Sequence, residues 1–432
     1  MNSNNIITSR HDDVILDPRK LFKEQNRPAA KDLPFFDLPT PYYLIDLRSL
    51  EDNLRLLRSI MDVGRSKILL AQKAFACYPL YPLIGEYLSG TAASGLYEAL
   101  LGREEMGDDS EVHVYSPAFK QAEFEKLLGI ADKIIFNSFN QWGQFRSCLL
   151  EHNLSGDRQV SPGIRINPGY SEVEPEIYNP ASADSRLGIS AEEFKAGVKD
   201  SRFEGIEGIH FHSLCEQNAD ALEKTLDAID HNFGSFPAGL KWINLGGGHH
   251  ITRADYDIER LIRNIERVQN NTKAEVYLEP GEAIALDAGF LVSTVLDLVK
   301  NVRTTAILDT SAACHMPDVL EMPYTPQCFL VQEVSRSEST RWYQAKAAGE
   351  LPYEIRLAGP SCLAGDIIGD YSFAVPPLPG DRIVFLDMAI YTMVKNNTFN
   401  GVPLPSIGVY PEDGSYLTLK EFSYKDFKER LG

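Results

Sequence analysis

The chain has 432 residues, 44% hydrophobic and 24% charged, which excludes disordered and fibrous classes and implies two or three domains, or one large α/β barrel with a smaller unit. Forty-two basic residues face 61 acidic ones, a net charge of −19 that argues against a nucleic-acid partner and suits the steering of a cationic small molecule into an acidic cleft. No uncharged apolar run reaches the ~18–20 residues of a membrane span, the start MNSNNIITSRHDD has no apolar signal core, and six cysteines without a CxxC pair read as free thiols in a reducing cytoplasm.

Residues 1–38 are polar and mixed and read as an N-terminal extension. From Thr40 the pattern changes. TPYYLID is a short β-type run, and SLEDNLRLLRSIM has helical spacing behind a serine cap. Short β-rich runs then alternate with helical stretches: KILLAQKAF (67–75), GTAAS (90–94), VHVYSP (112–117), KIIFNS (133–138), GIRINP (163–168), GIEGIHFHS (205–213), WINLGGG (242–248) and VYLEPG (276–281). Eight strands with crossover helices imply a parallel sheet, and eight such units close into a (β/α)8 TIM-type barrel. Lys73, Ser94, Ser116, Arg165, His212, Gly246–Gly248 and Glu279 all fall at the C-terminal ends of these runs, the face where barrel enzymes place their chemistry. After about residue 285 the rhythm breaks into FLVSTVLDLV, TTAILDTSAA, YEIRLAGPSC and DRIVFLDMAIYTM, the pattern of a mostly antiparallel β domain. The expected organisation is an extension over 1–38, a barrel over 39–285 and a C-terminal β domain over 286–432.

Lys73 ends an apolar strand; it is either a solvated charge or a desolvated amine with nucleophilic character. Three glycines after WINL can turn backbone N–H groups toward a phosphate monoester. They are not a dinucleotide fingerprint, because GxGxxG is not in place. Glu279 closes the eighth run and is either structural or a partner for a cofactor ring nitrogen. His210 and His212 share a strand face, and with His249 and His250 they keep a metallohydrolase barrel open as a rival. Cys362, in GPSCLAGD, is a candidate proton donor with a tuned thiol or a small packed residue.

Taken together, strand–Lys, HxH, GGG, EPG, GPxC and a late Tyr resemble the fold-type III pyridoxal-phosphate decarboxylases, which act on ornithine, arginine or diaminopimelate and join an alanine-racemase-like barrel to a β domain. LLAQKAF, TAASGLYEA, HFHSLCEQNADALE, WINLGGGHHIT, YLEPGEA, LDTSAACHMPDVLEMPY and VKNNTFNG resemble the carboxynorspermidine/carboxyspermidine decarboxylase branch. The resemblance runs from Thr40 to the C-terminus. It implies that Lys73 carries pyridoxal 5'-phosphate, that Glu279 faces the pyridine nitrogen and that His212 stacks on the ring, in place of a metal role. It further implies that Gly246, Gly247, Gly248 and Tyr391 hold the phosphate, that Arg165 supports the cofactor network, and that Cys362 reaches the site of the neighbouring subunit of a homodimer.

Some residues depart from the ornithine-type pattern. Glu282 stands where those enzymes have arginine after EPG, Leu363 where an acid follows the cysteine, and Ala92 where an acid precedes Ala-Ser; the spacing to Glu98 also differs by one. These departures favour a cationic carboxy-polyamine, with Glu282 supplying a counter-charge and Asp318 and Asp309 as further amine holders. The expected activity is decarboxylation of carboxynorspermidine or carboxyspermidine. The rivals are a diaminopimelate or other basic amino-acid decarboxylase, a non-catalytic pyridoxal-phosphate-binding protein and the metallohydrolase.

Overall fold

The computed structural model describes residues 33–155, 158–174, 178–333, 340–411 and 414–432. Of the expected extension, residues 1–32 lie outside the described residues. Leu33, Phe35 and Leu38 are buried in an apolar cluster with Tyr42, Leu44, Phe290, Val292 and Val384, so this part of the extension is core to the second sheet.

The chain enters through β1 (Tyr42–Asp46), whose five residues are all buried. β1 is not a barrel strand. It pairs antiparallel with β10 (Gly289–Lys300) and parallel with the strand Ser406–Tyr410. The TPYYLID run, which the expected barrel bounds of 39–285 take in, thus belongs to the second sheet, where both of its edges are paired. Helix α1 (Leu47–Gly64) follows directly. Its cap is Asp46, not a serine: Oδ1 accepts from Arg48 N–H (3.1 Å) and Oδ2 from Ser49 Oγ (2.9 Å).

The eight predicted strands form one closed parallel barrel: β2 (Lys67–Ala71), β3 (Gly90–Ala93), β4 (Glu111–Tyr115), β5 (Lys133–Phe136), β6 (Ser161–Arg165), β7 (Gly208–His210), β8 (Trp242–Asn244) and β9 (Glu275–Leu278). Closure comes from the pairs Lys67↔Tyr277 and Ile68↔Leu278. The interior is packed, with Leu69, Ile135, Trp242 and Tyr277 forming an apolar plug. Below it, Glu111 gathers Lys67 (2.6 Å), Lys133 (2.5 Å) and His113 (3.0 Å). The Trp242 indole fills a slot between two glycines; a Cβ on Gly163 would come within 2.2 Å of it and one on Gly208 within 2.0 Å.

Among the described residues the second sheet has eleven strands and is mostly antiparallel, running from Arg341–Gln344 through β10 to Lys346–Ala347. β10 is twelve residues long and breaks register between Val295 and Asp297, so its first half pairs with Arg382–Leu386 and its second with Thr304–Leu308. Leaving Arg382–Leu386, the chain crosses the barrel's C-terminal mouth: Asp387 accepts from Asp287 N–H (2.7 Å) and Tyr391 N–H donates to Ala74 O (2.7 Å). Among the described residues no helix is long and apolar enough to cross a membrane.

Gly208→Ala would force the Trp242 ring out of its slot. Urea unfolding should show a loss of about 1–3 kcal/mol, with the residues at the opposite mouth unaffected.

Candidate active site

Because the barrel strands are parallel, their C-terminal ends meet at one mouth. There Lys73, Ser94, Tyr115, Arg165, His212, Gly247 and Glu279 line a cavity of about 60 Å³. Strand register explains why. Arg165 pairs with His210, His210 with Asn244, and Asn244 with Tyr277, so these four share one level of the barrel. His212 and Glu279 lie two residues further along β7 and β9 and therefore stand above it.

Lys73 sits in the turn that closes β2, pinned by Ala74 N–H to Ala71 O (3.0 Å) and Gln72 N–H to Ala92 O (3.1 Å). Its amine lies deep among protein atoms, yet the side chain is accessible because the cavity opens beside it. Burial lowers its pKa first, and the Arg165 cation lowers it further; Glu279 opposes both. Arg165 is 4% exposed, donates to His212 O (3.4 Å), lies 4.5 Å from the Tyr115 ring centre and has no partner for Nε.

Glu279 is enclosed, and burial alone would raise its pKa. His210 Nε2–H (3.2 Å to Oε2), the nearby His113 and Asn244 Nδ2–H (2.7 Å to Oε1) hold it at about 2 instead. Asn244 Oδ1 in turn accepts Gly246 N–H (2.9 Å). His212 Nδ1 accepts Gly247 N–H (2.8 Å), and burial with Lys73 and Arg165 nearby holds the imidazole well below its usual pKa. Gly246 and Gly248 have φ of +74° and +79°, and a Cβ on Gly247 would meet Glu279 O at 2.3 Å. The glycine turn therefore differs from the expectation of three free donors: the N–H groups of Gly246 and Gly247 are used inside the protein to fix Asn244 and His212.

Of the four histidines of the metal reading, His210, His212 and His249 do not converge. His210 goes to Glu279, His212 to Gly247, and His249 to Tyr256 Oη (3.4 Å). Instead Glu216, His250 and Glu282 approach within 4.8 Å of one another, with His250 Nε2 3.0 Å from Glu282. Burial and then Glu282 raise the pKa of Glu216, while Asp387 beside them is pushed up to about 6 by burial. Tyr391 lies within their field, and burial raises its phenol first.

Two expected amine holders are otherwise engaged. Asp309 accepts from Ser293 Oγ (2.7 Å), Thr294 N–H (2.9 Å) and Thr40 Oγ1 (2.7 Å) inside the second sheet, so it is a structural acid. The Asp318 carboxylate is buried against Lys395 Nζ, which also holds Glu321 (2.9 Å); its charge is met within the chain. Cys362 is exposed on its loop, tied by its N–H to Asn400 Oδ1 (3.0 Å), and does not line the cavity. Glu98 accepts Ser94 N–H (2.6 Å) and fixes the turn after β3. Sequence reasoning missed Asn244 and Glu216, and considered His250 only as a metal ligand. Asn244 was findable, as a polar residue in an apolar strand two positions before a glycine turn.

These residues fit pyridoxal phosphate. A desolvated amine, a fixed carboxylate for a ring nitrogen, an unpartnered Arg165 Nε and a left-handed glycine turn surround one ring-sized space. The comparisons with known proteins agree. Residues 42–389 match the family described as pyridoxal-dependent decarboxylase, C-terminal sheet domain. The chain is 40% identical to the carboxynorspermidine/carboxyspermidine decarboxylase of Campylobacter jejuni, over 91% of this chain and 98% of that one. It is also 40% identical to the carboxyaminopropylagmatine decarboxylase of Synechocystis sp., over 91% and 96%. The crystal structure of Campylobacter jejuni carboxynorspermidine decarboxylase with norspermidine superposes with a TM-score of 0.79 at 39% identity, covering 91% of this chain and all of that one.

Glu279 is held at about 2, below its ordinary 4.5. Its charge therefore adds stability that is complete above pH 4.5 and lost as the pH falls through about 2. In urea unfolding of the cofactor-free protein between about pH 5 and 2, the wild type should lose stability more steeply than Glu279→Gln.

Proposed function

The chain belongs to the pyridoxal-dependent decarboxylases, and we propose that it removes CO2 from an α-amino acid whose side chain carries a secondary amine and a distal cation. Carboxynorspermidine and carboxyspermidine fit that description, with norspermidine or spermidine as product. The observation that carries this reading is a barrel mouth lined by Lys73, Glu279 and His212, with the acidic group of Glu216, Glu282 and Asp387 joined to it at Cys215, which lies in the field of Glu216, Glu282 and Lys73 alike. Equal identity to the Synechocystis relative favours a second reading, in which the distal cation is a guanidinium.

Bound pyridoxal phosphate supplies an aldehyde that takes the substrate amine and a ring that accepts the electron pair left at Cα as CO2 departs. The chain's residues do the rest. Lys73, with its pKa lowered, would hold the cofactor through its amine. Glu279, kept anionic, would hold a proton on the ring nitrogen; His212 and Arg165 would bind beside the ring, and Tyr391 and Gly248 would take the phosphate. Glu282 and Glu216 hold the cationic side chain, which orients the α-carboxylate for loss. One proton must return to Cα for each CO2 released, and Cys362 or Lys73 delivers it.

Cys362 can do so only from a second copy, since it lies on an exposed loop outside its own chain's cavity. Exposed Leu363 and Phe399 beside it support burial in a homodimer with shared sites. The free cysteines support a cytoplasmic location.

Three measurements test this reading. Purified protein given the two carboxy-triamines, carboxyaminopropylagmatine and diaminopimelate should release CO2 from at least one of the first three far faster than from diaminopimelate; preference for diaminopimelate overturns the assignment. Glu282→Gln should lower kcat/KM for the triamine about tenfold, the loss of ~1.4 kcal/mol of charge pairing. If Cys362 is the donor, mixed Lys73→Ala and Cys362→Ala subunits, each far below wild type alone, should recover up to about a quarter of wild-type activity where sites are shared.

A further inference from the structure

We infer that His210 and Asn244 are positioning residues that keep the Glu279 carboxylate charged and aimed at the cofactor's ring nitrogen, and that Asn244 couples this acid to the turn that takes the phosphate. The inference rests on the reading of Glu279 given above and assigns work to two residues that reading leaves idle. Each oxygen of Glu279 receives one donor: Asn244 Nδ2–H at 2.7 Å on Oε1 and His210 Nε2–H at 3.2 Å on Oε2. With both oxygens met, the carboxylate has a single orientation, and its remaining lone pairs are left for a third donor.

His210 is 2% exposed, and its Nδ1 has no partner. A proton on Nδ1 would be left unmet, so the nitrogen that carries the donor hydrogen is Nε2, facing Glu279. The ring is also held from the side, stacked on Tyr115 at 5.5 Å and 19°. Asn244 is fully buried, and its amide is used at both ends: Nδ2 on Glu279, and Oδ1 on Gly246 N–H at 2.9 Å. The amide cannot flip, because that would set its oxygen against a carboxylate and its NH2 against a backbone N–H. One side chain thus fixes the spacing between the acid and the glycine turn.

The test separates action through the ring nitrogen from plain structural support. The probes are pyridoxal phosphate and its 1-deaza analogue, in which the ring nitrogen is replaced by CH, with dissociation constants read from quenching of protein fluorescence. His210→Phe preserves the stack on Tyr115, and Asn244→Leu preserves the volume. Each should weaken binding of pyridoxal phosphate about tenfold or more while leaving the deaza analogue within about twofold of wild type. His210→Gln, which offers an N–H of similar reach, should restore most of the difference.

Equal losses for both probes in either variant overturn the proposal in favour of a structural role. Should those variants fail to fold, the wild type and Glu279→Gln decide: wild type must bind pyridoxal phosphate more tightly than the analogue, and Glu279→Gln must lose that preference. A wild-type protein that binds both probes equally overturns the proposal. One that binds neither overturns the functional reading and this inference with it.

Discussion

A carboxylate enclosed by protein is unstable as an anion unless donors meet it, since burying a charge costs several kcal/mol. At Glu279 the barrel supplies those donors from its own strands. His210 and Asn244 are directly paired across β7 and β8, and Asn244 is paired with Tyr277, two residues before Glu279. Three adjacent strands thus build one acid with a fixed charge and direction. The same hydrogen bonds extend into the glycine turn through Gly246 and Gly247, so Glu279, Asn244, His212 and the glycine turn form one hydrogen-bonded unit.

The second sheet completes this unit. It starts at β1, before the barrel, and resumes after it, so the barrel is inserted between two parts of the sheet in the chain. That arrangement ties the segment after Arg382–Leu386 to the barrel mouth. Tyr391 reaches Ala74, the neighbour of Lys73, through its backbone N–H. Asp387, held by Asp287, adds a carboxylate to the group formed by Glu216 and Glu282. The mouth is therefore acidic at Glu216, Glu282 and Asp387 and basic at Arg165 and Lys73.

Much of this was legible in one dimension because periodicity reports burial. All eight barrel strands were predicted, since each is a short apolar run bounded by turn residues. The residues at their C-terminal ends could be gathered into one site because a closed parallel barrel has only one such mouth. What the sequence did not show were side-chain partners remote along the chain. Asp309 and Asp318 looked like free acids, but Thr40 and Lys395 answer them from 269 and 77 residues away. Ser49 looked like a cap because the competing Asp46 ends a strand whose pairing partner comes some 240 residues later.

The sequence by itself determined the barrel, the second β domain, the lysine, the acid and the glycine turn, because local pattern and motif order specify those without reference to distant contacts. The tertiary structure alone decided which glycine N–H groups are spent on His212 and Asn244, which acids are already paired, and to which sheet β1 belongs. Hydrogen bonds and ion pairs between strands depend on register, and register is set only when the barrel closes.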